Sequence, residues 1–356
     1  MQTPKNTKKV FTVAGCILLL VFFALLGFYQ DYKEKDQTVS TGSAFIMDTF
    51  VDQKLVGRDS ADAVVAVNKA LSRFEDRMSA YRTQSMVSLI NELAGVDAVK
   101  VDEETFALLK QAKELCGQSD GLFDITIGPL VDLWNINTLD PVVPEENEIA
   151  QAMELVDWND LILNEEDRSV MLKRKGQKIN LGGMAKGAAG AMALEVAREY
   201  GVHSGYISVG GNIFTIGEKA DGTAYRFGIR DPRGTASEYI GIVDLNNTTM
   251  ATSGDYERYF EADGVRYHHI LDPRTGYPGR SDLISVSVIC EEGGKADYLS
   301  TLLFLMGREE ALDYAQQNGY AVVLVDAEKN VWLSDGAKPI FTPNEQANGY
   351  VFANLS

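Results

Sequence analysis

Residues 10–28 read VFTVAGCILLLVFFALLGF and carry no charge. As a helix rising 1.5 Å per residue, such a run spans about 28 Å, the hydrocarbon thickness of a bilayer. Lys5, Lys8 and Lys9 precede it, and Asp31, Lys33, Glu34, Lys35 and Asp36 follow it. The basic flank predicts a cytoplasmic amino terminus (1–9), a transmembrane anchor (10–28) and an exported body. A cleaved signal peptide is a second reading, but no small-x-small site sits clearly after the run. Val13-Ala14-Gly15-Cys16 resembles a lipoprotein signal, although most of the apolar run lies after Cys16 rather than before it. Residues 29–43 are polar and read as a linker, which leaves 44–356 as one large folded body.

The whole chain has a formal charge of −18. Its first 28 residues hold three Lys and no acid, so the remainder carries −21. That field repels polyphosphates and argues against a nucleic-acid binder. A phosphorylated small ligand would need local donors or a metal to hold it. Cys116 and Cys290 remain outside the anchor; they could pair in an exported domain or stay as two buried thiols.

The body mixes helices and strands without a βαβ rhythm. Val64, Val67, Leu71, Phe74 and Met78 recur at helical spacing after Asp59 or Ser60, as do Phe106, Leu109, Ala112 and Cys116 after Asp102. Pro144-Glu145-Glu146 opens a short helix to Leu155, and 185–200 forms a small-residue helix ended by Gly201. Strands are expected over 206–216, 225–230, 240–245 and 248–252, the last two joined at Asn246-Asn247. Asp263-Gly264 turns a hairpin between 258–262 and 265–271. A strand at 283–290, helices at 296–306 and 308–318, and a hairpin of 321–326 with 331–334 complete the chain. The class is α+β, with mixed, largely antiparallel sheets packed with helices and one amino-terminal transmembrane helix.

Five stretches carry possible chemistry. Asn180-Leu181-Gly182-Gly183-Met184-Ala185-Lys186-Gly187 follows a strand and opens a helix. Its glycines and free N–H groups suit an anion, or simply tight helix–sheet packing. Tyr267-His268-His269-Ile270-Leu271-Asp272-Pro273 holds two of the three histidines. Neighbours on a strand point opposite ways, so only one can face a pocket. Asp297 and Thr301 stand i, i+4 on one helix face, a hard-oxygen pair suited to Mg²⁺, or a helix-start Asp with a surface Thr. Asp124, between Phe123 and Ile125, is expected to be buried and hydrogen-bonded, to a ligand N–H or across a turn. Ser253-Gly254-Asp255-Tyr256 ends in aromatics that could stack on a ring or fill the core.

Taken in order, these stretches resemble the ApbE family of FAD:protein FMN transferases. The resemblance runs from about 42 to about 318. It rests on Met47-Asp48-Thr49, Ser79-Ala80-Tyr81, Phe123-Asp124, the 182–187 loop, Thr252-Ser253-Gly254, His269-Ile270-Leu271-Asp272-Pro273 and Ala296-Asp297 with Thr301. It implies an ApbE-like, T-fold-like architecture. It also implies that Met47, Tyr81, Leu122, Phe123, Asp124, Asn180, Lys186 and Leu271 contact FAD. The backbone of Gly183 and the side chains of Asp297 and Thr301 would hold Mg²⁺, and His269 would be the active-site histidine. Many members carry Tyr and Asp where this chain has Ala188 and Ala191, and Met-Gly-Thr where it has Met47-Asp48-Thr49.

The implied activity is Mg²⁺-dependent transfer of FMN from FAD to a Thr or Ser hydroxyl of an exported acceptor protein, with release of AMP. FAD pyrophosphatase activity and non-enzymatic flavin binding are the alternatives. The chain has no Asp-x-x-Thr/Ser-Gly-Ala-Thr segment of the acceptor kind, which argues against self-flavinylation. The expected location is the cell membrane, single-pass, with the catalytic domain extracytoplasmic.

Overall fold

The computed structural model describes residues 19–27, 35–136, 138–347 and 349–355. The chain opens with a hairpin of β1 (Val39–Ile46) and β2 (Thr49–Gly57), followed by α1 (Ser60–Met78) and α2 (Met86–Glu92). Next come β3 (Val99–Lys100), α3 (Glu103–Gln118), α4 (Gly128–Trp134) and α5 (Glu146–Met153). β4 (Leu161–Asn164) and β5 (Ser169–Leu172) lead into α6 (Ala185–Glu199). The strands β6 (Val202–Val209), β7 (Asn212–Ile216), β8 (Tyr225–Arg230), β9 (Tyr239–Leu245) and β10 (Thr249–Gly254) follow. Then come β11 (Tyr259–Ala262), β12 (Val265–His268) and β13 (Leu283–Cys290). The chain ends with α7 (Gly293–Met306), α8 (Arg308–Asn318), β14 (Ala321–Asp326), β15 (Asn330–Leu333), β16 (Phe341–Pro343) and β17 (Val351–Phe352).

A nine-stranded sheet in the order β1-β2-β6-β7-β10-β13-β14-β15-β17 forms the frame. Its pairings are antiparallel except β15 with β17, which agrees with the α+β, largely antiparallel class. Its central strands are apolar on both faces because both are covered. Val322 and Leu324 of β14 join the core under α1, α6 and α7, while Val323 and Val325 face the small β16-β9-β8 sheet. α7 is buried nearly all round, with Leu299, Leu302, Leu303 and Phe304 in the core. A polar residue on α7 is therefore held in a low-dielectric setting.

Local signals agree with the helix ends. Asp102 caps α3 by accepting from the Thr105 N–H at 3.0 Å, with Glu103 and Glu104 in the positive first turn. Glu145 and Glu148 form a reciprocal capping box on α5.

Four readings are corrected. The expected strand 206–216 is two strands, broken where Gly210 and Gly211 take φ of 57° and 89°. Left-handed backbone at two successive residues turns the chain into a hairpin. β1 begins at Val39, inside the segment read as linker, and its polar residues occupy the solvated face of an edge strand. The strand expected over 265–271 ends at His268, with a bend at His269 before the turn that Asp272-Pro273 opens. α7 starts three residues earlier than its apolar spacing suggests, at Gly293.

Of the expected anchor, residues 10–18 and 28 lie outside the described residues, as do 1–9. Residues 19–27 are helical, with exposed apolar side chains. Among the described residues, no helix is long and apolar enough to cross a membrane. Cys116 and Cys290 are both free, and burial raises their thiols to about 12 and about 11.

Candidate active site

The site forms where the start of α6 meets the start of α7. A Cβ on Gly187 would lie 2.3 Å from the Gly293 carbonyl oxygen and 2.6 Å from Asp297 Cβ. Only glycine permits this approach, and it brings the Gly187 N–H to 2.9 Å from Asp297 Oδ2. The other oxygen, Oδ1, accepts from Asn212 Nδ2 at 2.9 Å. Asn212 is itself 1% exposed, and its Oδ1 accepts from the Thr252 N–H at 3.3 Å. Asp297 is 3% exposed, and both of these partners are amide N–H groups rather than cations.

Thr301 stands one turn further along α7. Its hydroxyl is 3.3 Å from Ser253 Oγ, which is 2.8 Å from Ser300 Oγ. A Cβ on Gly183 would lie 3.5 Å from Thr301 Oγ1 and 2.9 Å from Phe123 Cε2. The structure thus brings Gly183, Asp297 and Thr301 together. The donors are all hard oxygen, and among the described residues no cationic side chain pairs with the buried carboxylate, so the residues fit Mg²⁺. Among the described residues there is no cluster of three His, Cys, Asp or Glu. A cation here would rely on one carboxylate, neutral protein oxygens and ligand phosphates.

The histidine pair divides at the end of β12, His268 as its last residue and His269 just beyond it. His268 is buried, its Nε2–H donates to the Gly279 carbonyl at 2.9 Å, and its Nδ1 accepts from the Ile270 N–H at 3.3 Å. Its ring packs edge-on against Phe304 at 5.3 Å, so it is a fixed core group. His269 is half-buried, with Nδ1 at 3.3 Å from the Arg258 carbonyl. Nδ1–H donating there leaves the Nε2 lone pair free. Burial pushes its pKa down to about 3, aided by the charges of Lys186 and Arg258. The Lys186 stem runs beside Gly210, where a Cβ would lie 3.2 Å from Lys186 Cδ and 2.6 Å from Thr49 Oγ1.

A second wall holds Tyr81 and Asn180. Asn180 Nδ2 donates to the Tyr81 hydroxyl at 3.1 Å, and Asn180 Oδ1 accepts from the Gly182 N–H at 2.8 Å. Asn91 fixes the approach to this loop, donating to the Ile179 carbonyl at 3.0 Å and accepting from its N–H at 2.6 Å. Met47 and Asp48 turn the β1–β2 hairpin with φ of 59° and 53°. The turn is tied down by Arg258 Nη2 at 3.4 Å from the Asp48 carbonyl.

Four predicted contacts are largely engaged in the fold. Leu122 and Phe123 are buried, Phe123 edge-on to Tyr298 at 4.8 Å. Leu271 is buried in a cluster with Leu130, Trp134 and Ile149. Asp124 accepts from the Thr126 N–H and hydroxyl, both at 2.7 Å, and from the Trp158 N–H at 3.0 Å. Its carboxylate therefore bridges a turn, the second of its two expected uses, and burial raises its pKa. The Tyr256 ring packs against Gly254 beside Ser285 rather than lying open for stacking.

Sequence reasoning missed Asn212, Asn91 and Arg258. The glycine pair before Asn212 marks a strand break, which was the one available signal for the first of them.

The model of the ApbE family matches residues 47–324. A Klebsiella pneumoniae protein named FAD:protein FMN transferase is 35% identical over 86% of this chain and 96% of the relative. A Treponema pallidum protein of the same name is 31% identical over 78% of this chain and 82% of the relative. The solved structure of the Thermotoga maritima ApbE protein superposes with a TM-score of 0.80 at 33% identity, covering 85% of this chain and 99% of that one. The Vibrio cholerae flavin transferase ApbE gives 0.76 at 27% identity, covering 85% and 99%.

Proposed function

The chain belongs to the ApbE family and is an FAD:protein FMN transferase, and we propose that it works with Mg²⁺, joins FMN to a Ser or Thr hydroxyl and releases AMP. The observation that carries this reading is the buried Asp297 carboxylate, held by two amide donors beside Thr301 and Gly183. Asp297, Thr301 and the Gly183 carbonyl would hold the ion. When bound, Mg²⁺ offsets the charge of the pyrophosphate and of the departing AMP.

The remaining work falls to protein groups. Lys186 and the positive end of the α6 dipole draw the diphosphate into an otherwise acidic molecule. Met47, Tyr81, Asn180, Leu122, Phe123, Asp124 and Leu271 line the flavin nucleotide's path, Asp124 and Leu271 through their backbone. His269, neutral and fixed through Nδ1, accepts the acceptor hydroxyl's proton at Nε2. The hydroxyl oxygen bonds to the FMN phosphorus as the pyrophosphate P–O bond breaks, and AMP leaves with the electron pair. A base with so low a pKa is weak without FAD. The negative diphosphate beside it offsets Lys186 and Arg258 and raises its basicity when FAD is bound.

Water in place of the acceptor hydroxyl would give FMN and AMP by hydrolysis at the same site. Measuring AMP release from FAD and Mg²⁺ with and without an acceptor domain separates the two. Transfer predicts AMP in step with flavinylated acceptor and slow release without it; fast acceptor-independent release of free FMN would identify a hydrolase.

For location we propose a single-pass membrane anchor at 10–28 with the catalytic body outside the cytoplasm. The uncharged run, its lysine flank and the exposed apolar side chains of residues 19–26 support this. The partner would then be an exported acceptor. Protease protection of 1–9 but not of the body in spheroplasts tests it.

A further inference from the structure

We propose that the outward face of the β1–β2 hairpin is the docking surface for the acceptor protein. The inference rests on flavin transfer to a protein and adds the surface that this protein covers. Phe45 and Phe50 face each other across the hairpin, with ring centroids 5.5 Å apart and edge-on. They are 64% and 69% exposed. Their neighbours Ile46 and Val51 point the other way and are buried in the core under α1. The aromatic pair therefore lies on the opposite side of the sheet from the main core, and packing among the described residues does not account for it. Exposed aromatic pairs of this kind are what interfaces bury as anchors.

Position identifies the occupant. The hairpin's turn borders the reaction site: the Asp48 carbonyl accepts from Arg258 Nη2, and the Arg258 carbonyl in turn holds His269. Thr49 packs beside Gly210 and the Lys186 stem. A polypeptide hydroxyl that reaches Nε2 of His269 from this side brings its own chain over the hairpin tip. The next cross-strand pair along the face is Ser43 and Asp52, the hydroxyl donating to the carboxylate. This pair lines one end of a groove of about 570 Å³ that it shares with Thr41, Tyr206, Ser208 and Phe227. The face thus offers an aromatic anchor next to the site and a polar, aromatic-walled track leading away from it. That suits an acceptor segment with an apolar side chain near its target residue and hydrogen-bonding groups further along.

The test uses the full-length protein and its F45S/F50S double variant, both sites being exposed and so tolerant of polar residues. The probe is a purified acceptor domain bearing an Asp-x-x-Ser/Thr-Gly-Ala-Thr segment. The KM for this domain is expected to rise at least about tenfold, with FAD affinity and acceptor-free FAD cleavage within about twofold of wild type. An unchanged KM overturns the proposal, as does loss of FAD binding in step with loss of transfer. It is also overturned if transfer is unaffected while the variant loses self-association in sedimentation, or loses binding to anionic phospholipid vesicles. Those outcomes assign the face to a second copy or to the membrane. Absence of flavin on the acceptor even with wild-type protein overturns the transfer reading and this one together.

Discussion

Replacing Asn212 by leucine removes one of the two donors that hold Asp297 while keeping the side chain's size. The lost bond, 2.9 Å long, runs to a carboxylate that is 3% exposed. Hydrogen bonds to charged groups contribute about 1.5–3 kcal/mol. The same change orphans the Thr252 N–H, whose bond to Asn212 is longer at 3.3 Å, adding about 1 kcal/mol. Metal-free protein should therefore lose roughly 2–4 kcal/mol of stability in denaturant unfolding. Because Asn212 orients the proposed metal ligand, half-saturating Mg²⁺ should also rise, by about 10–100-fold as for other residues that orient a ligand. Unfolding curves and an Mg²⁺ titration of AMP release at saturating FAD measure the two effects. Unchanged stability would show that the Asp297 carboxylate draws nothing from this bond. An Mg²⁺ midpoint within about twofold of wild type would remove Asp297 from the metal site.

Four further outcomes follow from the same geometry. His269 is held near 3 in the fold, against an ordinary value of about 6.5. Below about 6.5 the unfolded chain therefore binds a proton that the folded chain does not, and stability falls as the pH is lowered. At pH 5 the loss is about 2 kcal/mol, and His269→Gln should flatten it; an unaltered pH–stability curve in that variant would refute the assignment. FAD binding should raise the basicity of His269, read by calorimetry in buffers of different ionisation heat as proton uptake below pH 6.5 that His269→Gln abolishes. Gly187→Ala puts a methyl 2.3 Å from the Gly293 carbonyl oxygen, so α6 and α7 must separate at Asp297. We expect a stability loss of about 1–3 kcal/mol and more than about 100-fold loss of Mg²⁺-dependent turnover; retained turnover would show that this contact does not shape the site. Asp48 occupies a left-handed position, φ 53°, that two-residue hairpins prefer to give to glycine. Asp48→Gly should raise stability by about 0.5–1 kcal/mol in urea unfolding, and a lowered midpoint would contradict that account.

Much of this site could be read from sequence because its chemistry is local. Helical spacing placed Asp297 and Thr301 on one face of α7. Strand alternation allowed only one of His268 and His269 to face outward, and the two do part, although β12 ends at His268. The ties that complete it are long-range. Asn212 reaches Asp297 across 85 residues, Asn91 reaches Ile179 across 88, and Arg258 reaches Asp48 across 210. Periodicity carries no information about which strands become neighbours, so these partners had no local signature. The same limit explains the break at Gly210-Gly211, where an apolar run that looks continuous folds back on itself. The polar start of β1 was equally hidden, because an edge strand with one solvated face reads as linker.

The central claim is that this site joins FMN covalently to a protein hydroxyl. Intact-mass and flavin-fluorescence analysis of a denatured acceptor domain, after incubation with this protein, FAD and Mg²⁺, tests it most directly. The account predicts an acceptor carrying one FMN less one water, absent when its target Ser or Thr is replaced by Ala and absent with Asp297→Ala enzyme. An acceptor that stays unmodified while FAD is consumed, or one labelled equally well by Asp297→Ala enzyme, would contradict it.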